Sequence, residues 1–216
     1  MSALVSGRVY SRAEHTVDAV IHALGVLFAI NGGLWLLFHV TGLSVVVSVS
    51  VYCAGLFAML TASALYNLWP YGNMRDCLRR FDHAAIFIMI AATYTPFAVN
   101  RLQAPASGVI LGLIWFGATI GVILKMLFPR RFEVASISLY LGLGWLVVTV
   151  IKPLSAAMAT ADFRLLVAGG LVYSVGVVFY VTERLPYHKA IWHGFVLVAV
   201  ILHFTAIASE FATAFP

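Results

Sequence analysis

The chain has 216 residues, 62% hydrophobic and only 10% charged, with a mean hydropathy of +1.00. That balance excludes an ordinary soluble domain, because the apolar excess beyond any core must face lipid. The net charge of +5 sits in loop flanks without interleaved aromatics, which argues for membrane topology and against nucleic-acid binding.

Seven membrane helices are predicted, at about 16–38, 44–68, 82–100, 102–124, 133–151, 164–182 and 190–210. They make residues 1–216 a single seven-helix membrane domain of all-α class. The runs are continuously apolar, whereas barrel strands alternate over about 10 residues, so a β-barrel is excluded.

The first span opens with Glu14, Asp18 and His22, spaced i, i+4 and i+8 on one helix face. Glu14, His15 and Asp18 interrupt its start, so it does not read as a cleaved signal peptide. The helix dipole accounts for Glu14 and in part for Asp18. His22, two turns in, needs an interior partner. The second span has no charge and ends in "TASALYNLWPY", with Ser63 and Asn67 one turn apart. The third begins "RRFDHAAIF", which sets Asp82 and His83 at its start, and Pro96 predicts a satisfied kink further along. Only "NRLQAPASG" separates it from the fourth span.

Gly117 and Gly121 in the fourth span, and Ala168, Gly169, Gly170 and Ser174 in the sixth, have the small side chains that let helices approach closely. The seventh opens "YHKAIWHGFVLVAVILHF", where Lys189 and His193 share a face and His188 adjoins them. His203 lies about 15 Å deeper and rotated by about 80°, so it reads as a packing histidine. Cys53 lies mid-span and Cys77 in a charged loop, and they form no disulfide framework.

Charge asymmetry sets the expected orientation. Arg8, Arg12, Arg75, Arg79, Arg80, Lys125, Arg130, Arg131, Arg184 and Lys189 fall at one end, while Arg101, Lys152 and Arg164 fall at the other. The positive-inside rule then predicts a cytoplasmic N-terminus and an outside C-terminus, in a multi-pass protein of the cytoplasmic (inner) membrane.

These segments resemble the hemolysin III family, within the larger group of adiponectin and progestin receptors and alkaline ceramidases. The resemblance rests on Glu14, Asp18 and His22, on "SALYN", on "RRFDHAAIFIMIAATYTPF", and on "LPYHKAIWHGFVL" followed by "LHFTAI", and it covers almost the whole chain. It implies a seven-helix bundle with zinc near the cytosolic end. In relatives three histidines, one from the second span and two from the seventh, hold the metal, and the third-span aspartate holds its water. Such a site leaves one zinc position open for an activated water. By this resemblance Ser63 and Asp82 are the catalytic candidates and His193 a retained ligand.

Asn67 and Lys189 occupy the other two ligand positions. An amide is a poor zinc ligand and an ammonium is none, so tight zinc is doubtful here. Lys189 is expected to pair with Asp82 where the metal would lie. Substitute ligands are at hand in His22, His83 and His188, and a rebuilt set such as His22, Asp82 and His193 ranks below a metal-free site. Glu14 and Asp18 count as further polar residues of that end.

The favoured function is therefore a degenerate zinc site that binds membrane lipids or serves envelope homeostasis. The alternative is a zinc-dependent lipid amide hydrolase with a rebuilt ligand set, which leaves enzymatic activity open. A cytolytic pore is disfavoured, because no span carries a continuous polar stripe.

Overall fold

The computed structural model describes residues 10–70, 72–128, 130–182 and 184–213; Arg8 lies outside them. All regular structure among them is helical: α1 (Arg12–His39), α2 (Leu43–Leu68), α3 (Asn73–Arg101), α4 (Ala106–Leu127), α5 (Glu133–Gly144), a 3-10 segment (Trp145–Val150), α6 (Ile151–Ala157), α7 (Thr160–Val181) and α8 (His188–Phe211). Since α5, the 3-10 segment and α6 form one span, Glu133–Ala157, seven helices are long and apolar enough to cross a membrane. Hydrocarbon offers backbone groups no partners, and helices satisfy theirs internally.

The helices depart most from the expected spans in the third and the fifth. The third helix begins at Asn73, nine residues early, because its first turns are charged and fall below a hydropathy threshold although nothing there breaks a helix. The fifth span is not one regular helix. The Tyr94 hydroxyl of α3 inserts into its ladder, donating toward the carbonyls of Leu143 (3.0 Å) and Gly144 (2.8 Å) and accepting from Val147 N–H at 2.7 Å. An inserted side chain of this kind is a known cause of helix distortion, and here it also satisfies the freed groups.

α3 is the central helix and the most deeply buried span, packed between α2 and α4. Close approach is built from small residues. A side chain on Gly121 would overlap Phe87 of α3, and one on Gly117 would overlap Leu143 of α5. Gly169 leaves room for His203, whose Nε2 bonds the Leu166 carbonyl at 3.1 Å, as a packing histidine should. α3 runs unbroken through Pro96.

The two ends of the bundle are closed differently. At one, Asn100 of α3 bonds Ser44 and Ser48 of α2 at 2.8 Å each, and Arg101 pairs with Glu210 of α8. At the other, Glu14 serves two elements at once. It completes a capping box with Ser11, and its Oε1 accepts from Tyr187 N–H, at the mouth of α8, at 2.9 Å. One buried carboxylate thereby starts α1 and docks α8 beside it.

Two variants test this packing. Gly121→Ala should lower the melting temperature in detergent by several degrees, since overpacking costs about 1–3 kcal/mol, whereas Gly112→Ala, whose added methyl meets nothing within 4 Å, should not. Glu14→Ala should raise amide exchange around residues 184–190 by about tenfold or more, the effect of losing a hydrogen bond to a charged acceptor, with α4 unchanged. Uniform protection in the variant would refute the docking role.

A candidate metal and acid–base site between the first and last helices

The α1 stripe and the α8 face meet at the end of the bundle that Glu14 closes. Asp18 and His22 lie one turn apart on α1, and both are buried. His193 of α8 donates from Nδ1 to Asp18 Oδ1 at 2.6 Å. The other carboxylate oxygen, Oδ2, lies 3.7 Å from His22 Nε2, beyond hydrogen-bonding distance. The two imidazole rings pack with centroids 4.3 Å apart. His22 Nε2 is therefore a buried polar atom with no hydrogen-bond partner, facing a carboxylate and a second imidazole. Buried groups left unsatisfied in this way call for an explanation.

One ligand atom from each of Asp18, His22 and His193 lies within 4.8 Å of the others. Two imidazoles and a carboxylate are the donor set of hydrolytic zinc sites that keep one position open. The site thus fits a divalent transition metal by chemistry and by its orphaned nitrogen. Among the described residues it is the only such group of three.

The positions inherited from the family pattern do not fit a metal. Asn67 turns back onto its own helix, its Nδ2 donating to Ser63 O at 3.0 Å and approaching Ser63 Oγ at 3.5 Å. Lys189 holds its ammonium 4.4 Å from the centroid of the Tyr10 ring, a cation–π contact. The expected ion pair with Asp82 is not formed, and the ammonium acts on Asp82 only through its longer-range field. A ring face close at hand, with its negative quadrupole, holds the cation at the mouth instead of over the carboxylate.

Asp82 is buried, with Ser63 and His22 both close enough to act on it electrostatically. It stands beside the triad without joining it, and the carboxylate that lies with His22 and His193 is that of Asp18. His188 and His83 also stay outside. His188 Nε2 is engaged with Tyr10 Oη at 3.0 Å. His83 lies on the far side of α3, where its carbonyl accepts from Tyr140 at 3.0 Å and its ring lies near Arg79, Glu133 and Lys125. Adjacent residues on a helix point about 100° apart, and no local distortion brings either histidine back.

Spacing alone undervalued Asp18. Asp18 and His22 form the same i, i+4 ligand pair as Lys189 and His193, but the dipole argument explained the acid away. A small cavity of about 10 Å³, room for one water, opens above Asp18 between Tyr10, Asn67 and Lys189.

Comparison with known proteins agrees with this architecture. The family model described as Haemolysin-III related matches residues 10–204. The chain is 34% identical over 192 residues to the hemolysin-3 homolog of Bacillus subtilis (strain 168), covering 88% of this chain and 90% of that protein. It is 37% identical to hemolysin-3 of Bacillus cereus, covering 85% of each. Monocyte to macrophage differentiation factor of Homo sapiens is 28% identical, over 90% of this chain and 83% of the human protein. With a family model spanning most of its length and relatives above 30% identity, the chain belongs to the haemolysin-III-related family of multi-pass membrane proteins.

Proposed function

We propose that this hemolysin III-type protein has exchanged the family's ligand set for a new one, Asp18, His22 and His193, and that the site binds zinc and serves hydrolysis at a lipid carbonyl. The observation that carries the reading is the buried His22 Nε2, unpartnered and facing the Asp18 carboxylate and the His193 ring. A metal held there would supply a Lewis acid and a water of lowered pKa. Asp18 fixes the tautomer and direction of the His193 ring through its 2.6 Å hydrogen bond. Asp82, buried beside the triad, is the carboxylate placed to serve as a general base. Asn67, tied to the Ser63 carbonyl, positions that serine and takes no part in ligation.

A second reading has its own support. The Asp18–His193 bond is complete without a cation, and Lys189 already brings positive charge to the mouth. On this reading the site is metal-free and binds a lipid or serves envelope homeostasis. Either way, the charge asymmetry of the loops favours a cytoplasmic N-terminus and a site at the cytosolic face of an inner membrane.

Metal content separates the two. Protein purified in mild detergent without chelator should contain near-stoichiometric zinc by elemental mass spectrometry. His22→Ala and His193→Ala should lose it, while Asp82→Asn should keep it. Zinc absent from the parent and gained only by Asn67→His with Lys189→His would establish the metal-free reading. Zinc retained by His22→Ala would refute the ligand set.

A further inference from the structure

A second charged site lies at the same end of the bundle, between α3 and the α4–α5 connection, and has no part in the chemistry above. It is an open cleft of about 530 Å³ lined by Arg79, Arg80, Arg130 and Arg131, with Leu127 and Phe128. Two carboxylates answer the four guanidinium groups. Arg130 pairs with Asp76 at 2.8 Å, and both of those side chains are more than 60% exposed. Arg79 pairs with Glu133 at 2.9 Å, but Glu133 is shared with the buried ammonium of Lys125, also at 2.9 Å. Arg80 spends its Nη1 on the Met126 carbonyl at 3.2 Å, which engages a donor without cancelling charge. The cleft keeps an excess of positive charge.

Its apolar part is equally specific. Leu127 ends α4, and Leu127, Phe128 and Phe132 are all exposed. Because α4 and α5 are both spans, the short connection between them lies at the membrane boundary. The arginines therefore stand at headgroup depth directly beside side chains suited to acyl chains. Guanidinium groups bind phosphate oxygens bidentately, and basic pockets between spans are suited to lipid headgroups. A soluble anion would match the arginines but leave Leu127 and Phe128 unused.

We propose that this cleft binds the phosphodiester headgroup of an anionic phospholipid, with its acyl chains against Leu127 and Phe128. The site is independent of any metal at Asp18, His22 and His193.

The test is native mass spectrometry of delipidated protein titrated with phosphatidylglycerol, phosphatidylcholine or inorganic phosphate. Phosphatidylglycerol should bind well above phosphatidylcholine, and millimolar inorganic phosphate should not displace it. Arg130→Gln with Arg131→Gln should weaken phosphatidylglycerol roughly 30-fold, whereas Lys152→Gln with Arg164→Gln at the opposite end should not. Asp76→Asn removes a competing carboxylate at an exposed pair that adds little stability, and should tighten binding. An unchanged melting curve in the same detergent identifies the folded variants. Equal affinity for the two lipids, or no response to either the arginine pair or Asp76→Asn, would overturn the proposal. Displacement by inorganic phosphate would reassign the cleft to a free anion and overturn the lipid assignment.

Discussion

Water is absent from the hydrocarbon, so every polar group on this chain at membrane depth must find its partner within the protein. That constraint organises the bundle. Ser48, Ser50, Thr93 and Thr95 bond carbonyls one turn back in their own helices, each at 2.7–2.8 Å. Tyr94 replaces the hydrogen bonds that the fifth span forgoes where it tightens to a 3-10 turn. Lys125 and Asp18 are buried only together with Glu133 and His193 respectively. Buried Tyr52 Oη and Thr61 Oγ1 also lack a hydrogen-bond partner, but the Nε2 of His22 differs from them in facing a carboxylate and a second imidazole.

On the function proposed above, the scaffold changes its chemistry without changing its fold. Asn67 in the second span bonds back to the Ser63 carbonyl of its own helix, and Lys189 in the seventh lies against an aromatic ring. Meanwhile the first helix contributes both a carboxylate and an imidazole to the same end. The docking of α8 on α1 through Glu14 brings those two helix faces together, and Asp18 then meets His193.

Much of this was legible in the sequence. Long apolar runs mark all seven spans, because lipid exposure demands apolar residues whatever the packing. The third was cut short at Asp82 because its first nine residues are helical but charged, and hydropathy measures lipid compatibility, not helix formation. The irregular turn in the fifth span was invisible, since its cause is a hydroxyl from another helix. At the site, helical periodicity set Asp18 with His22 on one face and Lys189 with His193 on another. It could not reveal that the first pair turns toward His193 while the ammonium turns away to Tyr10, because those choices depend on contacts between residues far apart in the chain.

The ion pair of Lys125 and Glu133 bears on how the fourth and fifth spans are joined. Lys125 is 1% exposed and faces the bundle interior, so it does not escape along the surface to the headgroups. Lys125 lies in the last turn of α4, where a buried ammonium left without a counter-charge would be costly. Its counter-charge belongs to the next span, only eight residues on. The connection between the fourth and fifth spans is therefore closed by its own ion pair, and the burial of Lys125 depends on the start of the following helix.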